Sequence, residues 1–280
     1  MSTAQKSRYY DQPILKEPVW EWEIAAYFFT GGLAGASGLL ASMARMAGNR
    51  RLARNALAAA VAGVAVSLPL LIVDLGRPER FHHMLRVFRP TSPMNIGTWL
   101  LTAFGGSALT VAGSELTGWF KPLGRVAGVA TGLLGPLVST YTGVLVADTS
   151  VPIWHEARRQ LPFLFAASAA ASAGGLACVL SPVEDAAVAR RYALAGAAAE
   201  LVLSETMERE LAELAAPYRK GAARRFTLAS RNLTLAGTGL LALAGRTRGG
   251  AAAGGCLLLA GALNKRLAVW KAGIESARGT

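Results

Sequence analysis

The sequence predicts an all-α membrane protein of about eight transmembrane helices, on three observations. Hydrophobic residues make up 52% of the 280 residues and charged residues only 16%, against about 25% charged in ordinary soluble domains. Runs free of charge recur along the whole chain, each close to the ~20 residues that a spanning helix needs. Most Lys and Arg fall between those runs, where they anchor helix ends to the interface.

The spans are expected at about Glu23–Ala47, Ala53–Leu75, Ile96–Leu116, Val126–Ala147, Leu161–Leu180, Val188–Met207, Phe226–Gly245 and Gly250–Val269. The chain then divides into a lead (1–23), four helices in 24–147, four more in 148–272 and a tail (273–280). Runs of small residues, Gly31-Gly32-Leu33-Ala34-Gly35 and Gly254-Gly255, let helix backbones approach closely in lipid. An internal repeat points to two four-helix halves of parallel topology. Tyr27-Phe28-Phe29 followed by small residues up to Gly38 is matched by Phe163-Leu164-Phe165 followed by small residues up to Gly174, and Arg54 is matched by Arg190.

The net charge of +12 belongs to the interfaces rather than to a basic tail or an aromatic-studded groove, which argues against nucleic-acid binding. Cys178 and Cys256 lie inside apolar runs, and two thiols are too few for an iron–sulfur cluster. A bis-His haem needs two histidines deep in facing spans, whereas His82, His83 and His155 are all in loops. The first apolar run follows a polar, Trp-containing lead, a pattern unlike a signal peptide.

The loop after the second span is the most distinctive segment: Asp74-Leu75-Gly76-Arg77-Pro78-Glu79-Arg80-Phe81-His82-His83-Met84-Leu85. Pro78 suits the first turn of a helix. Phe81, Met84, Leu85 and Phe88 follow at i, i+3, i+4 and i+7, so the segment reads as a short amphipathic helix in the membrane interface, ended by Pro90 and Pro93.

Asp74-Leu75-Gly76-Arg77-Pro78 with Phe81, His83-Met84-Leu85 and Ser92-Pro93-Met94 resembles the signature of the NrfD/polysulfide reductase membrane-subunit family. Tyr141-Thr142-Gly143-Val144-Leu145 and Val151-Pro152-Ile153-Trp154 are similar to that family's pattern in the fourth span. The lead Trp20-Glu21-Trp22-Glu23 into Tyr27, and the ending Ala272-Gly273-Ile274-Glu275, resemble its first and last helices. The resemblance implies two four-helix bundles, with a quinone pocket in the first bundle that includes Tyr141. It also implies electron exchange between a quinone (menaquinone or ubiquinone) and a docked ferredoxin-like iron–sulfur subunit. A molybdopterin-type catalytic subunit completes such complexes. The chain itself is expected to carry no haem, metal or cluster.

The residues add a chemical reading. Tyr141 lies about 24 Å along its helix from Arg125 and therefore just below the interface. Asp148, seven residues on, shares its face, and Asp74 and His83 emerge at the same interface. Tyr141, Asp148, His83 and Asp74 are the candidates for quinone carbonyl binding and proton exchange, with Trp20, Glu23, Tyr27 and Arg77 closing the pocket. Asp74 and Arg77 are equally readable as helix caps paired with one another, and His82 as the polar face of a surface helix. In the sixth span Glu200 falls about 15 Å from Arg190, near mid-bilayer, with Glu205 beyond it. An intramembrane carboxylate costs about 2.5–3.5 kcal/mol, so Glu200 is expected either to start a proton path with Glu205 or to sit protonated against Ser, Thr or Asn of a neighbour.

The expected setting is the inner (cytoplasmic) membrane, with both termini on the face of the quinone site. A positive-inside count puts that face in the cytoplasm, whereas the family's better-known members dock their partners outside. Beside the redox reading stand two others, a non-catalytic membrane anchor and a small transporter or proton channel.

Overall fold

The computed structural model describes residues 20–75 and 78–278, and every element among them is helical. Eight helices have 20 residues or more: α1 (Trp22–Met46), α2 (Arg50–Asp74), α3 (Pro93–Thr117), α4 (Lys121–Ala147), α6 (Leu161–Leu180), α7 (Ala187–Glu210), α9 (Ala223–Ala244) and α10 (Arg248–Ala277). Two short helices, α5 (Pro152–Glu156) and α8 (Ala216–Lys220), lie in loops, and a 3₁₀ helix covers Pro78–Leu85. The ends follow local chemistry. Proline stands in the first turn of α3, α4 and α6, where its missing N–H costs nothing. Asn49 caps α2 by accepting from the Leu52 N–H (3.0 Å), and its amide ties the loop before α7 by donating to the Asp185 carbonyl (2.8 Å). Gly118 ends α3 in the left-handed region at φ 74°.

Six of the long helices, α1, α2, α3, α4, α6 and α10, are long and apolar enough to cross a membrane. The protein is therefore an integral membrane protein. The two other expected spans form helices but fall short of that apolarity. Arg190, Arg191, Glu200 and Glu205 lie in α7, and Arg231, Asn232 and three threonines lie in α9. The segment expected as a tail is mostly helix, since α10 runs to Ala277.

α1 packs along α2 and α4, and α3 along α4, with a lesser contact between α2 and α3. The last four long helices repeat that pattern: α6 packs along α7 and α10, and α9 along α10, with a lesser contact between α7 and α9. Each set is drawn together by a glycine pair. A Cβ on Gly35 or on Gly135 would collide with the other's carbonyl, joining α1 to α4, and Gly175 and Gly255 join α6 to α10 in the same way. The two sets meet where α6 lies against α4 and α1, with the Phe28 and Phe165 rings 5.9 Å apart. Small polar side chains bind the helices further: Thr30 to Ser67 (2.8 Å), Thr131 to Ser107 (2.9 Å) and Ser139 to the Gly32 carbonyl (3.2 Å).

Candidate functional site

At one end of the first four helices a cavity of about 110 Å³ opens between α1, α2, α3 and α4, with the 3₁₀ helix lying across it. Ile24, Leu68, Leu71, Leu101 and Leu145 make its walls apolar. Phe81, Met84 and Leu85 supply the cover, so the apolar stripe foreseen in this segment faces the cavity. The segment is shorter than expected and differs in type, a 3₁₀ helix that stops at Leu85. Asn95, at the start of α3, stops it. Its amide donates to the Met84 and Val87 carbonyls (2.9 Å each), and its oxygen accepts from the Arg89 N–H (2.6 Å). Phe88 thus leaves the stripe and packs edge-on against Trp99, with centroids 6.3 Å apart.

Few polar groups reach this cavity. Tyr141 comes from α4, with its hydroxyl donating 2.7 Å to the Pro93 carbonyl. Its ring lies over Gly97, where a Cβ would fall inside the ring. Tyr27 comes from α1, with its ring against Gly31, and its hydroxyl makes no hydrogen bond within the described residues. Asp74, the last residue of α2, lines the mouth and lies within electrostatic reach of Glu21 and Glu23. Thr98 and Thr102 also line it, but their hydroxyls are spent on the carbonyls of Met94 and Thr98 one turn back (3.0 and 2.7 Å). Trp20 closes one side. Its ring stacks on Trp154 at 5.6 Å, and its carbonyl accepts from the Trp270 indole (3.1 Å).

The structure thus brings Tyr141, Tyr27, Asp74 and Trp20 together. The other sequence candidates lie elsewhere. Glu23 is half-buried behind the mouth, with Oε2 buried and without a partner. Asp148 caps the end of α4 but is exposed and outside the lining, because the helix stops at Ala147 and the chain turns away. His83 is exposed, its ring against His82 (4.3 Å) on the outer side of the cover. Arg77 lies outside the described residues. Glu205 is a surface residue paired with Arg209 (2.9 Å) and shares nothing with Glu200, which is 1% exposed and faces Lys265.

Sequence reasoning missed Asn95 as the strap of the cover, Gly97 as the seat of Tyr141, and the buried Lys265 and Arg266 of α10. Asn264-Lys265-Arg266 interrupts an otherwise apolar run, and that interruption was the available signal. Among the described residues no three His, Cys, Asp or Glu side chains gather as a metal site.

No curated protein matches this chain. The family described as polysulphide reductase, NrfD, matches residues 12–191, which include every residue of the cavity. With nearly two thirds of its length inside that match, this integral membrane protein belongs to the NrfD polysulphide reductase family.

Proposed function

We propose that the protein is the quinone-reactive membrane subunit of a respiratory oxidoreductase complex. In this reading it exchanges electrons between a quinone and a docked ferredoxin-like iron–sulfur subunit, and it anchors a molybdopterin-type catalytic subunit at the inner membrane. All eight long helices span the bilayer as two four-helix bundles. Support for counting α7 and α9 comes from the repeated neighbour pattern of the two halves and from the inward placement of Glu200, which keeps that carboxylate off the lipid surface.

The cavity carries the functional reading. A dry cavity of ~150 Å³ accepts a benzene ring, so about 110 Å³ beneath the cover is of the size of a six-membered head group. A quinone accepts two electrons and two protons at its carbonyl oxygens. The residues fit such a ring: apolar walls for its faces, and two polar groups with spare capacity, the Tyr27 hydroxyl and the Asp74 carboxylate, to orient the oxygens. The Tyr141 hydroxyl already donates to Pro93, so it offers a lone pair to a ligand, while Tyr27 is the free donor. Asp74, at the mouth and within electrostatic reach of Glu23, is placed to hand protons between water and the cavity. The electrons come from the partner subunit.

The test uses Tyr27→Phe, Tyr141→Phe and Asp74→Asn in the assembled complex. Losing one hydrogen bond to the ligand is worth about 0.5–1.5 kcal/mol, so Tyr27→Phe slows reaction with quinone roughly two- to tenfold. Reduction of a soluble dye by the partner is unchanged in all three variants. Undiminished quinone rates in all three leave the protein a plain membrane anchor.

A further inference from the structure

The second set of helices holds a cluster of ionisable side chains remote from the cavity. Glu200 on α7 and Lys265 and Arg266 on α10 are 1%, 6% and 1% exposed. Lys265 Nζ donates to Ser204 Oγ (2.9 Å) and lies 3.9 Å from Glu200 Oε1. Ser230 of α9 reaches the same carboxylate oxygen at 3.4 Å. Arg266 donates through Nη2 to the Phe165 carbonyl (2.7 Å), and its guanidinium lies 3.8 Å over the Phe165 ring.

These contacts leave much unspent. Glu200 Oε2, Arg266 Nε and Nη1, and Thr234 Oγ1, one turn along α9 from Ser230, are buried without a partner in the protein. Buried polar atoms are normally bonded to protein or to ordered water, and a buried water takes two to four such partners. Two cationic side chains against one carboxylate also leave the cluster one proton away from neutrality, since loss of a proton from Lys265 balances Glu200 against Arg266.

We propose that Glu200, Lys265 and Arg266 line an internal hydrated chamber that binds water and one exchangeable proton, opening only towards the end of the molecule where α7 and α10 terminate. On that side the polar groups continue. Glu208 lies two turns along α7 within electrostatic reach of Lys265, with Arg219 and Tyr218 of α8 and Arg231 of α9 around it. Glu205 of α7 also acts on Glu208, from the surface; α6 contains no charged residue, and α1 meets Arg266 with Gly32. On the other side Ala193 and Ala197 of α7, Gly237 and Leu241 of α9, and Gly254 and Leu258 of α10 are buried and apolar, with Gly237 against the Gly254 backbone. That plug distinguishes a one-sided proton site from a channel. The three lining residues all fall beyond residue 191, where the family match ends. None of them belongs to the quinone cavity, so the chamber stands or falls independently of the quinone reading.

Infrared difference spectra of the full chain in lipid nanodiscs, taken across pH in H₂O and D₂O, test the proton site. The carboxylate bands of Glu200 should change as the proton leaves Lys265, and that change should disappear in Glu200→Gln. Lys265→Met removes the group that gives up the proton and should abolish the pH-dependent change. Ser204→Ala is the milder variant. It removes one contact of Nζ, keeps both charged groups and should retain the change. Absence of a pH-dependent change sensitive to Glu200→Gln, or one that survives Lys265→Met, overturns the proposal. Access is tested with Ser230→Cys in a Cys178→Ala, Cys256→Ala background in oriented vesicles. A small charged thiol reagent should react from the Glu208 side alone. Reaction from the other side, or from neither, overturns the one-sided chamber.

Discussion

Tyr141 shows what a sequence motif reveals about a residue and what it omits. Residue counting puts it late in its span, and the structure puts it near the end of α4, in a cavity wall. Its hydrogen-bond partner was not legible, because the Pro93 carbonyl belongs to another helix and long-range pairing leaves no local pattern. Asp148 marks the limit of the same counting. Seven residues separate it from Tyr141, but a shared face holds only while the helix continues, and α4 ends one residue earlier. Gly97 matters for what it lacks. An alanine there meets the Tyr141 ring, and forcing a methyl group into a packed site costs about 1–3 kcal/mol. Gly97→Ala is therefore expected to lower the thermal midpoint of the purified protein and to slow quinone reaction while dye reduction persists. Wild-type values for both melting and quinone turnover would show that the ring is not seated there.

Among elements, the cover of the cavity was the most legible. The spacing of Phe81, Met84 and Leu85 identified its apolar face, and that face lies on the cavity. Its length was misjudged because amphipathic spacing runs on to Phe88 while hydrogen bonding does not: Asn95 claims the Met84 and Val87 carbonyls and the Arg89 N–H. Asn95→Ala removes three bonds, each worth about 0.5–1.5 kcal/mol net. Amide hydrogen exchange at Arg89 should accelerate, and under the proposed function the KM for quinone should rise several-fold with little change in kcat. Asn95→Asp retains the acceptor and should fall between the two, whereas unchanged exchange in Asn95→Ala would remove Asn95 as the strap. The polar spans were harder to read. The acid in α7 was visible as an isolated charge, but its partners lie on α9 and α10, and Glu205, nearer in sequence, faces outwards to Arg209.

At the scale of the molecule, the internal repeat foreshadowed two similar halves, and the repeated helix neighbours with their two glycine pairs fit that reading. The seam between them was not legible, because its parts come from three distant segments. Trp154 of α5 donates its indole N–H to the Val269 carbonyl (2.8 Å) and lies on Gly273 of α10, where a Cβ would enter the ring, while Trp20 stacks on it as well. Gly273→Ala is expected to displace Trp154 and with it the stack on Trp20, to lower the melting temperature by several degrees for a cost of about 1–3 kcal/mol, and, under the proposed function, to slow quinone reaction from a position in the opposite half. A variant that melts early yet reacts normally would separate the seam from the cavity. Because Trp20 belongs to both, helices α1 to α4 do not amount to a detachable module that carries the cavity. A fragment ending at residue 147 would expose the side of Trp20 that Trp154 now covers, and a chain stopped before residue 269 would lose the two indole-to-carbonyl bonds, one to Trp20 and one from Trp154, that hold the stack. Swapping bundles between relatives should therefore respect this aromatic stack, since a cut in the loop between the halves severs a linker and also disturbs the ring that backs a wall of the site.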